Sequence, residues 1–153
     1  MISKKAFEKC LINGLTIAFA ESMTGGSLAY EMIKNPGSSS VVSGGIVAYS
    51  LEQKIDLLNI DSALINQHSV VSKEVAEQMA RSIRSIMKTD IGVSVTGNAG
   101  PSVQANTQQL EAWIAIDFHG VIKSFHLEFS QLTRLKSIKK TVEFTFQKLI
   151  ECF

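Results

Sequence analysis

The sequence has few cysteines and prolines and no long apolar run. It holds 2 cysteines and 2 prolines among 153 residues, and Cys10 and Cys152 stand near opposite ends without metal or redox spacing. No apolar run approaches the roughly 18 residues of a membrane span, and the first ten residues lack the apolar core of a signal peptide. We therefore expect two reduced thiols, no metal site, no membrane association and a soluble cytoplasmic protein.

The chain also lacks a charge excess and the common nucleotide-binding motifs. Its 15 basic and 14 acidic residues give a net charge of +1, which provides no electrostatic footprint for nucleic acid. It contains neither the P-loop pattern GxxxxGK[ST] nor the dinucleotide pattern GxGxxG. The 45% of hydrophobic and 19% of charged residues are typical of a globular protein, and the length fits one domain over 1–153.

Local signals predict an alternation of helices and strands. We expect helices over 3–13, 24–34, 50–58, from Ser72 onward and over 132–150, and strands over 16–20, 45–49, 91–95, 110–118 and 121–129. Ser3 and Ser72 are the predicted N-caps of the first of these helices and of the helix that begins at Ser72. The last two strands form a hairpin around His119-Gly120. This order predicts an α/β fold, a layered α/β/α sandwich with a mixed sheet.

Three segments beside predicted strands are rich in small and hydroxyl residues, namely 21–27, 37–40 and 96–102. Ligands of α/β sheets bind beyond the carboxyl ends of strands. Gly25 and Gly26 precede a helix N-terminus, so they suit either an anion site or a tight strand-to-helix turn. Glu21 could orient a base, or could be a carboxylate satisfied by N–H groups of the loop.

Lys54 breaks a local rule of helix formation. Ser50 and Gln53 have the spacing of a capping box, which places Lys54 in the first turn of its helix, where the macrodipole disfavours a positive charge. A lysine with a lowered pKa can take a proton from serine, whereas an exposed lysine would be tolerated at little cost. Short-chain dehydrogenases use a serine with Tyr-x-x-x-Lys on one helix face. Here four residues separate Tyr49 from Lys54, and the dinucleotide glycines are missing, so a hydride-transfer enzyme is not expected.

Four segments together resemble the CinA C-terminal domain family. They are "AESMTGGSLA", "PGSSSVVSGGIVAYSLEQKIDLL", "VSKEVAEQMA" and "VSVTGNAGP", in the family's order and spacing over nearly the whole chain. The resemblance implies a CinA C-terminal domain-like fold and a nicotinamide-nucleotide amidohydrolase of pyridine nucleotide recycling. Such enzymes convert nicotinamide mononucleotide to nicotinic acid mononucleotide and ammonia with a Ser–Lys site and no metal or other cofactor.

The resemblance also implies roles for particular residues. The family nucleophile falls on Ser39, its base on Lys54 and its assisting tyrosine on Tyr49. Oxyanion donors would come from the backbone around Ser38 or from a glycine loop. The implied nucleotide-binding residues are Thr24, Gly25, Gly26, Gly97, Asn98, Ala99, Gly100 and Arg134, with Glu21 beside them. Family members commonly form homo-oligomers, so we expect one here.

The chain departs from the family pattern over 102–112. The family's glycine pair, lysine and proline are absent there, and its Gly and Thr before Trp113 are replaced by bulky and charged residues including Leu110 and Glu111. Met23 replaces a cysteine and Leu51 an asparagine. Two interpretations follow, an amidase with the family's substrate or a shifted one, and a weak or inactive homologue that binds a nucleotide or partner without turnover.

Overall fold

The computed structural model describes residues 1–102, 110–130 and 132–153, and within them a five-stranded mixed sheet carries helices on both faces. The strands are β1 (Ile17–Glu21), β2 (Val42–Val47), β3 (Ile91–Asn98), β4 (Leu110–Phe118) and β5 (Val121–Phe129). The helices are α1 (Ile2–Asn13), α2 (Ser27–Ile33), α3 (Leu51–Leu58), α4 (Ser62–His68), α5 (Lys73–Met87) and α6 (Arg134–Glu151), with a 3-10 turn at Ser38–Ser40.

The strand order is β2-β1-β3-β4-β5. β1 pairs in parallel with both β2 and β3, whereas β4 and β5 continue the sheet as antiparallel neighbours. The α/β class and the mixed sheet are therefore confirmed. One apolar core lies between the sheet and α1, α2 and α6, and another lies between the sheet and α3, α4 and α5. Among the described residues, no helix has the length and apolar character needed to cross a membrane.

Local signals placed several element boundaries correctly. Ser50 Oγ accepts from Gln53 N, and Ser72 Oγ accepts from Val75 N, so both predicted N-caps are confirmed. The predicted hairpin is confirmed at both strands, and its turn residue His119 has a φ of 50°. These features depend on neighbours in the chain, which is why the sequence identifies them.

Other local expectations were wrong. Ser3 does not cap α1; its hydroxyl donates to Glu31 Oε2 at 2.7 Å because α2 packs beside α1. β2 begins and ends earlier than predicted, since its pairing with β1 covers Val42 to Val47. The short helix α4 was not predicted.

The parallel pairing of β1, β2 and β3 gives the sheet one edge with their carboxyl ends and one with their amino ends. The carboxyl ends of β1, β2 and β3 meet at one edge, where Ser22 follows β1, the segment 48–54 follows β2 and Asn98 ends β3. The turn Ser38–Ser40 precedes β2 and so lies at the opposite, amino edge. At about 3.3 Å per residue, the six residues of β2 alone separate the two edges by about 17 Å.

Candidate active site

A pocket of about 220 Å³ opens at the carboxyl edge of the parallel strands. It is lined by residues that follow β1, β2 and β3, by the loop between α4 and α5, and by the first residue of α6. A larger groove of about 720 Å³ lies between α1, α2 and α6, and its lining is mainly apolar. We place the candidate site in the smaller pocket, because it contains Lys54, Tyr49 and Arg134 together.

Lys54 is buried beneath this pocket, with 2% of its surface exposed. Its Nζ donates to Ser22 Oγ at 3.1 Å, to the Ala48 carbonyl at 2.9 Å and to the Tyr49 carbonyl at 3.4 Å. No carboxylate of the described residues forms an ion pair with it. The exposed-lysine interpretation is therefore wrong, since this ammonium group is enclosed without a counter-ion.

Burial lowers the pKa of Lys54 from 10.5 to about 8, because removal from water disfavours the charged form. A neutral amine has two N–H donors and one lone pair. If the Ala48 and Tyr49 carbonyls take the two donors, the lone pair faces the remaining neighbour, Ser22 Oγ. The arrangement can therefore remove a proton from the Ser22 hydroxyl.

The expected pairing of Ser39 with Lys54 needs correction. Ser39 lies exposed in the 3-10 turn at the amino edge, and it does not line the pocket. Ser38, at the same edge, donates its hydroxyl to the Ile33 carbonyl. A segment that precedes a parallel strand cannot meet residues that follow that strand, so within one chain the serine beside Lys54 is Ser22.

Arg134 and Tyr49 meet at the rim of the pocket. Arg134 Nη2 donates to Tyr49 Oη at 2.9 Å, and Arg134 Nη1 donates to the Gly100 carbonyl at 2.6 Å. The guanidinium has five donors, so three remain for a ligand while two hold its orientation. Because the Tyr49 hydroxyl accepts from Arg134, its own proton is directed elsewhere. This rim provides a fixed positive charge and a hydroxyl donor.

Three of the four implied ligand-binding residues over 97–100 line the pocket. Gly97, Asn98 and Ala99 contribute to its lining. The space that a side chain at Gly97 would need is occupied by the Met23 Sδ atom. Leu110 similarly fills the space above Gly100. Side chains of the protein itself therefore fill the space beside both Gly97 and Gly100.

Glu21 and the Gly25-Gly26 turn form the connection between β1 and α2 and lie outside the pocket lining. Glu21 Oε1 accepts from Thr24 Oγ1 and Leu28 N, and Oε2 accepts from Ala29 N. The carboxylate thus occupies the N-terminus of α2, where we had considered an external anion. Gly25 and Gly26 have φ values of 60° and 95°, which suits the tight turn. None of Glu21, Thr24, Gly25 and Gly26 lines the pocket, and their implied part in ligand binding stays a prediction.

The divergent segment 102–112 is described only at its two ends, because 103–109 lie outside the described residues. Glu111 at its far end pairs with His126, with Glu111 Oε1 3.2 Å from His126 Nε2, and His126 stacks on Trp113. Glu111 does not line the pocket.

Sequence reasoning did not single out several residues of the pocket. Ser22 lies within a segment that we had selected, and its position directly after a buried strand was the available signal. Thr96 also lay within a selected segment, and its hydroxyl donates to the Val70 carbonyl at 2.9 Å. Val70 and Val71 carried no signal, because a loop between two helices reaches the pocket only through the tertiary fold.

Comparison with known proteins places this arrangement in a family. The model of the CinA C-terminal domain matches residues 1–153. A relative from Lysinibacillus sphaericus, named among competence-damage inducible proteins, is 36% identical over 98% of this chain and 37% of its own length. A CinA-like protein from Mycobacterium avium is 50% identical over 60% of this chain and 21% of its own length. The chain thus spans less than two fifths of the length of these relatives.

Solved structures share the fold over almost the whole chain. A competence or damage-inducible protein from Enterobacter asburiae has a TM-score of 0.95 and 26% identity, over 99% of this chain and 95% of its own. The competence/damage inducible protein CihA from Agrobacterium tumefaciens has a TM-score of 0.92 and 26% identity, over 98% and 92%. A CinA superfamily protein from Escherichia coli, at 21% identity and a TM-score of 0.95, shares the fold over 99% of this chain and 88% of its own.

Proposed function

Because the chain belongs to the CinA C-terminal domain family, we propose that it is an amidohydrolase that converts nicotinamide mononucleotide to nicotinic acid mononucleotide and ammonia. The observation that carries the proposal is the contact between Lys54 Nζ and Ser22 Oγ at 3.1 Å in a buried setting. A hydroxyl beside a lysine of lowered pKa is an activated nucleophile for an acyl group. Ser22 takes the nucleophilic role that the resemblance had assigned to Ser39.

In the first half of the reaction, neutral Lys54 accepts the proton of the Ser22 hydroxyl while Oγ attacks the carboxamide carbon. The resulting tetrahedral intermediate carries its negative charge on the former carbonyl oxygen. Lys54, now an ammonium, donates the proton to the amide nitrogen, and the C–N bond breaks to release ammonia. An ester between Ser22 and the acyl group remains.

In the second half, water attacks the ester carbon while Lys54 again accepts a proton. The second tetrahedral intermediate returns that proton to Ser22 Oγ, and the C–O bond to the enzyme breaks. The product is a carboxylic acid, which ionises at neutral pH. One lysine thus serves as base and acid in both halves, and no additional titratable residue is required.

The pocket rim suits the remainder of the substrate. Arg134 is a cation with three unused donors, a geometry that matches a phosphate. The Tyr49 hydroxyl, which accepts from Arg134, has its proton free for a ligand oxygen. These two residues are the substrate-binding groups in this proposal, as the resemblance implied for Arg134.

A second candidate function is nucleotide binding without turnover. The observation that favours it is Leu110, whose side chain occupies the space above Gly100 at the pocket's edge. A ligand that needs close approach to the Gly100 backbone would meet this side chain. Binding without chemistry would leave ligand affinity intact and ammonia release absent.

The decisive experiment measures ammonia release from nicotinamide mononucleotide by the wild-type chain, Ser22→Ala and Ser39→Ala. Loss of the nucleophile lowers kcat by roughly 10³-fold or more, so we expect Ser22→Ala to be inactive and Ser39→Ala to retain wild-type activity. Both variants remove one hydroxyl, and Ser39 is exposed, which makes it the matched control.

The opposite result is equally informative. Activity lost only in Ser39→Ala would mean that Ser39 acts in a site completed by a second chain, and would refute the role of Ser22. A wild-type protein that binds the nucleotide without releasing ammonia would favour the second candidate function.

A further inference from the structure

We propose that Asn98 is a positioning residue, whose side chain holds Arg134 in the orientation that receives an anionic group of the ligand. The proposal rests on the proposed function, since it concerns the same pocket. It assigns to Asn98 an action through Arg134, which is separate from the ligand contact that the resemblance implied.

The Arg134 side chain depends on hydrogen bonds for its orientation, because it is exposed at the first position of α6. Its Nη2 donates to Tyr49 Oη at 2.9 Å, and its Nη1 donates to the Gly100 carbonyl at 2.6 Å. Tyr49 is itself 63% exposed, so the backbone carbonyl of Gly100 is the firmer of the two anchors. Fixing a long side chain before the ligand arrives reduces the entropy lost on binding and thereby raises affinity.

The turn that contains the Gly100 carbonyl is held by the Asn98 side chain. Asn98 Oδ1 accepts from Gly100 N at 3.0 Å, and Asn98 Nδ2 donates to the Ser102 carbonyl at 2.9 Å. An asparagine that bonds to the backbone two residues further on is a common way to stabilise a turn. Here the same side chain bonds on both sides of the Gly100 carbonyl, so it fixes the direction of that carbonyl.

Asn98 can support the turn because the sheet holds Asn98 in turn. It is the last residue of β3, pairs with Glu111 of β4 and is 4% exposed. Among the described residues, the only other side chain that hydrogen-bonds to the turn 99–102 is Arg134 itself. The orientation of Arg134 therefore traces back to the sheet through Asn98 and Gly100.

The charges around the pocket indicate what the oriented guanidinium receives. The lining contains Lys54 and Arg134 and no carboxylate among the described residues. A phosphate accepts two parallel N–H bonds from arginine only when the planar guanidinium faces it, so orientation matters for this contact. Asn98 does not hydrogen-bond to Ser22 or Lys54, so its loss should affect binding and leave the chemical step intact.

The test is a double-mutant cycle on the binding of nicotinamide mononucleotide, measured by calorimetric titration of the wild type, Asn98→Ala, Arg134→Gln and the double variant. We expect each single variant to raise Kd about tenfold, because each removes oriented charge-assisted hydrogen bonds. Kd of the double variant should lie within about twofold of that of Arg134→Gln, because effects of residues that act through one another do not add. In turnover, Asn98→Ala should raise KM about tenfold and change kcat by less than about twofold.

Asn35→Ala is the matched control. Asn35 Nδ2 also donates to two backbone carbonyls, those of Glu31 and Met32, but it lies outside the pocket lining. Its variant should bind the nucleotide as the wild type does.

Asn98→Ser is the conservative variant, because a serine hydroxyl can still accept from Gly100 N. We expect it to raise Kd only about threefold, since one of the two hydrogen bonds is retained. If Asn98→Ala does not fold, Asn98→Ser replaces it in the cycle, and its effect on Kd should disappear in the Arg134→Gln background.

Three results would overturn the proposal. They are an unchanged Kd in Asn98→Ala, wild-type affinity in Arg134→Gln, and an equal rise in Kd from Asn98→Ala with and without Arg134→Gln. The last result would mean that Asn98 acts on the ligand directly or on the fold as a whole.

The binding cycle separates this failure from that of the proposed function. A wild-type chain that gives the expected cycle without releasing ammonia would refute the amidase and support the role of Asn98. Ammonia release together with additive effects of the two substitutions would support the amidase and refute the role of Asn98. A wild-type chain that does not bind the nucleotide would overturn both.

Discussion

Glu21 and Lys54 are two buried ionisable residues near the carboxyl ends of neighbouring strands, and the protein treats them differently. Glu21 is 1% exposed and Lys54 is 2% exposed. Glu21 accepts three hydrogen bonds and lies at the N-terminus of α2, which favours its negative charge. Lys54 lies in the first turn of α3, and its amine donates to a hydroxyl and two carbonyls of the described residues.

The difference lies in whether the buried charge has partners that stabilise it. A buried charge with suitable donors stabilises the elements that provide them, as Glu21 does for the turn before α2. A buried ammonium without a counter-ion instead has a lowered pKa, and Lys54 can then exchange protons near neutral pH. Burial alone therefore does not identify a candidate catalytic residue. The groups that surround the buried charge must be considered as well.

The largest expected effect is that of Lys54→Met on activity. Methionine retains most of the side-chain volume but cannot accept the Ser22 proton, so we expect kcat/KM for nicotinamide mononucleotide to fall about 10²- to 10⁴-fold. Ammonia release measures the effect, and Lys140→Met, at an exposed position of α6, is the control. Retention of wild-type activity in Lys54→Met would remove the proposed base.

The pH dependence of kcat/KM tests the role of Lys54 further. Catalysis needs neutral Lys54, so kcat/KM should rise about tenfold per pH unit below pH 8 and level off above it. A flat profile from pH 6 to 9 would exclude Lys54 as the group that titrates.

The free energy of unfolding should depend on pH through Lys54. The folded-state pKa of Lys54, about 8, lies below its unfolded value of 10.5, so between these values the unfolded state binds more protons. The free energy of unfolding of the wild type, relative to Lys54→Met, should therefore rise by about 3 kcal/mol from pH 8 to 10.5. Urea titrations at each pH measure this difference, and parallel curves for the two proteins would contradict the shift.

The smallest expected effect is that of Glu21→Gln. The amide retains one acceptor but places an NH2 group against backbone donors, so we expect a loss of about 2 kcal/mol in the free energy of unfolding. Glu31→Gln, at a half-buried carboxylate paired with Lys34, should cost less than about 1 kcal/mol. A Glu21→Gln protein with full stability and no activity would show that Glu21 belongs to the chemistry after all.

The sequence predicted those features that depend on neighbouring residues. The N-caps at Ser50 and Ser72 and the hairpin around His119 were confirmed because each is determined within a few positions. The unusual position of Lys54 in its helix was also visible, and the structure explains it through burial. The choice of serine was different, since three segments contained hydroxyls, and the position of Ser22 after a buried strand does not by itself show that it meets Lys54.

Local patterns and the family resemblance based on them were thus sufficient to predict the α/β class and the family and to select Lys54. The tertiary structure alone decided which hydroxyl meets that lysine, because the contact joins Ser22 and Lys54 across 32 positions. It also brought Arg134 to Tyr49 across 85 positions. The first contact follows from the parallel pairing of β1 and β2, which gathers the residues after these strands at one edge and leaves Ser39 at the other. Arg134 reaches the same edge because the antiparallel strands β4 and β5 carry the chain away from that edge and back to it.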